Sequence, residues 1–118
     1  MKKQESAEQE AFIQWCEYNE GKYPELGLIF HIPNGGSRNK LEAANLKRQG
    51  VKAGVPDLCL PAARGKYHGL YIEMKVEKNK PTENQEQWLK RLTQQDYAVA
   101  VCYGADAAIE TVKEYLNL

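Results

Sequence analysis

Apolar residues recur at helical spacing near the start of the chain. Over roughly residues 5 to 19, Ala11, Phe12, Trp15, Cys16 and Tyr18 form one stripe, which predicts an amphipathic helix. Ser6 with Gln9 three residues on supplies a capping box for it, and Asn19-Glu20-Gly21 ends it. Leu26 to Pro33 is short, β-branched and aromatic, and predicts a strand stopping at the Asn34-Gly35-Gly36 turn. Ser37 can cap a second helix running to about Gln49, with Leu41, Ala44 and Leu46 on one side and Gly50 closing it. Val55 to Leu60 predicts a second strand. Leu70, Ile72, Met74 and Val76 then alternate with Tyr71, Glu73, Lys75 and Glu77, the period of two that buries one face of a strand. Thr82 caps a helix from about Glu83 to Gln95 with Trp88, Leu89 and Leu92 inward. Tyr97 to Tyr103 is nearly all apolar, the pattern of a strand covered on both faces. A last helix opens at Gly104-Ala105-Asp106. The order αβαββαβα, with a strand–helix–strand unit after a hairpin, predicts an α/β domain: a mixed central sheet flanked by helices.

The chain has 118 residues, enough for one domain with a genuine core, so residues 1–118 are read as a single unit. Sixteen Lys and Arg balance sixteen Asp and Glu. Zero net charge excludes a generally basic route to nucleic acid; a polyanion must find a local patch. Such a patch is present from Asn34 to Lys52, where Arg38, Lys40, Lys47, Arg48 and Lys52 face the lone Glu42. No apolar run is long enough to span a membrane, and MKKQESAEQE has no apolar core behind its lysines, so no signal peptide is expected. Cys16, Cys59 and Cys102 stand singly among apolar neighbours, with no CxxC; they read as reduced, buried cysteines in a cytoplasmic protein.

The candidate chemistry lies on the second and third strands. Asp57 follows Pro56 at the start of one. Glu73 and Lys75, two apart on the next, share a face. A short hairpin would bring Asp57 near Glu73. Two converging carboxylates are costly unless a cation or proton separates them. Magnesium meets this need, because it takes hard oxygen ligands, often only one or two of them carboxylates. A lysine two residues on adds a cation beside the site. Taken alone, a Glu-x-Lys triplet or a Pro-Asp pair is common on solvated surfaces; their joint spacing is what points to a site.

Gly54-Val55-Pro56-Asp57 followed by Ile72-Glu73-Met74-Lys75 resembles the PD-(D/E)xK nuclease signature. More narrowly, the chain resembles the virus-type replication-repair nuclease domain, VRR-NUC. The likeness is carried by the Glu-containing first helix, His31-Ile-Pro-Asn34-Gly35-Gly36, Gly54-Val-Pro-Asp57-Leu58, Glu73-Met-Lys75 and Pro81-Thr-Glu-Asn-Gln85 before Trp88-Leu89. It implies a restriction-endonuclease-like fold and a metal-dependent phosphodiesterase. By the same resemblance Asp57 and Glu73 would be metal ligands, joined by the main-chain carbonyl of Met74, and Lys75 the catalytic lysine. Gln85 would lie near the site. A glutamate of the first helix would be a further acidic member; Glu10 is the choice, with Glu8, Glu17 and Gln9 as alternatives. The resemblance also implies a homodimer acting on branched DNA.

The expectation is therefore a magnesium-dependent DNA endonuclease, with manganese able to substitute, encoded by a phage or bacterium and acting on branched DNA such as four-way (Holliday) junctions. DNA would follow Asn34, Gly35, Gly36, Ser37, Arg38, Lys40, Lys47 and Arg48, where glycine permits close approach to a phosphate and the cations hold it. Two rivals stand beside it. A sequence-specific restriction-type nuclease would need recognition loops that 118 residues hardly provide. A DNA-binding or assembly module without turnover would have no reason to keep a costly charge cluster.

Overall fold

The computed structural model describes residues 3–34 and 39–118. Among the described residues four strands form one sheet in the spatial order β1 (Phe30–His31), β2 (Leu58–Leu60), β3 (Leu70–Lys75) and β4 (Ala98–Tyr103). β1 to β2 and β2 to β3 run antiparallel, and β3 to β4 parallel. The parallel pair needs a crossover, which helix α3 (Glu83–Gln94) supplies. With α1 (Lys3–Tyr18), α2 (Lys40–Arg48) and α4 (Ala105–Leu116), the order is the αβαββαβα expected, with one 3-10 helix, Pro24–Leu28, added. Among the described residues no helix is long and apolar enough to cross a membrane.

Strand register explains the core. Leu58 pairs with Ile72, Leu60 with Leu70 and Met74 with Cys102, so these side chains share one face. They pack against Phe12 and Cys16 of α1 and against Ala105, Ala108, Val112 and Tyr115 of α4. Each large apolar side chain buried here contributes about 1.5–3 kcal/mol. The alternate residues of β3, Tyr71, Glu73 and Lys75, turn to the other face.

Several local expectations are corrected. Helix α1 begins at Lys3, so Ser6 lies inside it and is no cap. Pro24 is placed to start the 3-10 turn, which takes residues 26–28 of the strand expected over 26–33, and β1 keeps two residues. Ser37 lies outside the described residues; the cap of α2 is Asn39, whose Oδ1 accepts from the N–H groups of Leu41 and Glu42 at 2.9 and 3.1 Å. Helix α2 packs against no other helix or strand among the described residues. Its expected apolar side is only partly covered among the described residues: Leu41 is 70% exposed, Ala44 is exposed and Leu46 is half-buried. β4 is covered by α4 and α3, yet it is an edge strand and only Cys102 in it is buried. Thr82 does cap α3, with Gln85 completing a capping box.

Gly54 fixes the approach to Asp57. Its φ is +89°, and a Cβ there would lie 3.0 Å from both Asn84 and Trp88 of α3. Those two side chains donate to the Ala53 carbonyl at 3.2 and 3.1 Å, pinning the loop under the helix. Gly54→Ala therefore combines backbone strain with a clash against ring and amide atoms. We expect it to destabilise the protein by more than about 1 kcal/mol, measured by urea unfolding.

Candidate active site

Asp57 immediately precedes β2 and is held at both ends. Its main-chain carbonyl accepts from the Ile32 N–H of the chain leaving β1, at 2.8 Å, and from Nδ1 of His31, also at 2.8 Å. Its carboxylate Oδ2 accepts from the Met74 N–H of β3 at 2.7 Å. The hairpin thus brings Asp57 to Glu73, as the spacing implied. Glu73 is 2% exposed, and Lys75, on the same face of β3, places Nζ 3.7 Å from Glu73 Oε2.

This cluster is electrostatically strained. Burial pushes the Glu73 carboxyl up to about 8; the Asp57 charge adds to the shift, Lys75 opposes it, a hydrogen bond to Asp57 favours the protonated form, and Glu5 adds further repulsion. Glu73 Oε1 is buried and has no hydrogen-bond partner among the described residues. An orphaned carboxylate oxygen beside a second carboxylate fits a divalent cation, whose charge removes the repulsion and whose coordination satisfies the oxygen. Among the described residues no three His, Cys, Asp or Glu side chains form a closed metal cage. A pair of carboxylates is the donor set suited to magnesium, which keeps much of its water.

Of the other expected residues, some are elsewhere. Glu10 is exposed and lines a shallow surface groove with Gln9, Ile13, Gln14 and Glu17. Two positions from Phe12 is about 200° around a helix, so Glu10 points away from the core side. Glu17 is exposed as well. Glu8 serves another element, because its Oε1 accepts from the Ala105 N–H at 2.8 Å and so caps α4, and Gly104 (φ +93°) leaves it room. The α1 carboxylate whose charge Glu73 feels is Glu5, 8% exposed. Sequence reasoning misses it because residues 5 and 6 read as the helix end. The signal is present: seven residues from Phe12 and eleven from Cys16, Glu5 lies about 20° from each around the helix. The side-chain oxygen of Gln85 accepts from the Thr82 N–H at 2.9 Å, so its amide serves the α3 cap. Met74 lends its N–H to the site while its side chain is in the core. The three cysteines are free and buried, and burial raises every one, Cys16 to about 12; such thiols are poor nucleophiles.

The basic segment is only partly described. Gly35, Gly36, Ser37 and Arg38 lie outside the described residues. Lys40, Lys47 and Arg48 are exposed on α2, and Arg48 bonds to Asn45 on the same helix. Asn34, Lys47, Lys52 and Asn84 help line a cleft of about 460 Å³ between α2 and the start of α3.

Against known families, the VRR-NUC domain profile matches residues 3–106. A solved structure described as a VRR_NUC domain protein superimposes with a TM-score of 0.81 at 34% identity, covering 96% of this chain and 88% of its own. No curated protein matches the chain.

Proposed function

Because the chain belongs to the VRR-NUC family, a family of PD-(D/E)xK nucleases, we propose that it is a magnesium-dependent DNA endonuclease that acts on branched DNA as a homodimer. The observation that carries the catalytic part is the meeting of Asp57 and Glu73 in a buried position with the Lys75 ammonium 3.7 Å away. Asp57, Glu73 and the Met74 main-chain carbonyl would hold the metal, with Glu5 adding negative charge from α1. When bound, the metal supplies Lewis-acid polarisation of the phosphate and lowers the pKa of water. The chain's own residues do the rest. Lys75, fixed by Glu73, offers its charge to the phosphate oxygens as they become more negative. The Asp57 carboxylate is oriented by the Met74 N–H. Water adds its oxygen to phosphorus, the P–O3′ bond breaks, and the departing 3′ oxygen takes up a proton, leaving a 5′-phosphate and a 3′-hydroxyl.

Branched-DNA selectivity and dimerisation are the finer parts of this reading. A four-way junction has two symmetry-related phosphates to cut, and a two-fold dimer is the commonest way to present two sites. Cleavage of matched linear, flap and four-way substrates tests it: the four-way substrate should be cut fastest, by a species of twice the monomer mass in sedimentation. Equal rates on all three, from a monomer, would remove both parts.

The DNA path has its own test. Lys47 and Lys52 flank the cleft beside α2, and α2 is uncovered on its outer side among the described residues. Lys47→Ala or Arg48→Ala should weaken DNA affinity and flatten its salt dependence by about 0.9 in log–log slope for each phosphate that the variant no longer neutralises. Unchanged slopes in both would place the DNA elsewhere.

A further inference from the structure

We propose that His31 is a positioning residue for this reaction, acting through the main chain of Asp57, with Gln9 as its link to α1. The inference rests on the nuclease reading above.

Its basis is a chain of contacts. A carbonyl oxygen can only accept, so the 2.8 Å contact between His31 Nδ1 and the Asp57 carbonyl fixes the proton on Nδ1. Gln9 Nε2 lies 3.1 Å from that same nitrogen. Two donors cannot share one proton site. Turning the Gln9 amide by half a turn makes the contact attractive, with Oε1 accepting from Nδ1. The single Nδ1 hydrogen is then shared between the Asp57 carbonyl and Gln9 Oε1, and the Gln9 NH2 takes the buried place that Oε1 leaves. No described residue bonds to the ring's Nε2.

The need for such a brace follows from the strand. β1 is two residues long and lies at the sheet edge, so its ladder alone holds Asp57 weakly. Through His31 and Ile32, both lone pairs of the Asp57 carbonyl are occupied. The carboxylate end is already bound by Met74. Position is therefore set at both ends of one residue, and Gln9 ties that arrangement to the helix that carries Glu5. Groups that orient a metal ligand typically change metal affinity or turnover by about 10–100-fold when removed.

His31 is exposed, so its replacement leaves the core intact. His31→Ala should lower kcat at least about tenfold and weaken the dissociation constant for magnesium, read by calorimetry without DNA, by a similar factor, with KM for DNA little changed. His31→Asn, whose side-chain N–H overlays Nδ1, should restore both; His31→Gln, which overlays Nε2, should not. In 15N-edited NMR of the metal-free protein, the neutral His31 ring should show the Nδ1–H tautomer. Wild-type kcat and metal affinity in His31→Ala, rescue by Gln rather than Asn, or an Nε2–H tautomer would each overturn the proposal. A wild-type protein that neither binds metal nor cuts DNA would instead remove the nuclease reading, and the positioning role with it.

Discussion

Alanine at Asp57, Glu73 or Lys75 should each reduce DNA cleavage by on the order of a thousandfold or more, with folding retained. The three differ in how they fail. Loss of Asp57 or Glu73 removes a carboxylate from a pair that repel each other, so metal affinity should fall. In Glu73→Ala the metal-free melting temperature should hold or rise, because the strain on Glu73 comes first from burial and next from Asp57, whereas Asp57→Ala also strips the buried Met74 N–H of its acceptor and should lower it. Loss of Lys75 removes the cation that sits beside that pair. Lys75→Ala should therefore keep metal binding yet lose turnover, and it should be less stable than wild type without metal. Calorimetric metal titrations and thermal melts on the three variants, read beside cleavage rates, separate a ligand from a charge that acts on the phosphate. Near-wild-type turnover in Glu73→Ala would remove the site as described.

The second large effect is on stability against pH. Glu73 titrates near 8 in the folded chain against an ordinary 4.5, so over that interval the native state holds a proton that the unfolded chain has released. Its contribution to stability is complete below about pH 4.5 and is lost as pH rises to about 8, by at most about 1.4 kcal/mol per pH unit for one proton. Metal-free protein should thus become less stable from pH 5 to 8, where most domains change little. Glu73→Gln, neutral throughout, should flatten the decline. Saturating magnesium should abolish it, since the cation prefers the charged carboxylate; at a hundredfold over its dissociation constant it adds about 2.7 kcal/mol. Urea unfolding at pH 5, 6.5 and 8, with magnesium and with chelator, checks all three arms. A flat metal-free profile in wild type would mean that Glu73 is charged without help.

The sheet and the meeting of Asp57 with Glu73 were legible because period two and the hairpin leave little choice: Leu70, Ile72 and Met74 must face the core, so Glu73 and Lys75 must face away. The helix-borne residues were harder. Choosing among Glu5, Glu8 and Glu10 requires the phase of α1, and moving its start from Ser6 to Lys3 puts Glu5 in play. Gln85 stood at a spacing that serves equally a site or a capping box, and the structure uses it for the cap. Leu41 and Leu46 look like a core stripe, but periodicity tells that one side of a helix is apolar, not that anything covers it. The His31 contact joins residues 26 positions apart through a main-chain oxygen, and no sequence pattern marks such a bond.

The central claim is metal-dependent hydrolysis at the Asp57, Glu73 and Lys75 cluster. It is tested most directly by incubating the wild-type chain and Glu73→Ala with end-labelled DNA in magnesium, in manganese and in chelator. The account predicts cuts by wild type in both metals, leaving 5′-phosphate and 3′-hydroxyl ends, and none in chelator or with Glu73→Ala. Cleavage that persists in chelator, or equal cleavage by Glu73→Ala, would contradict it.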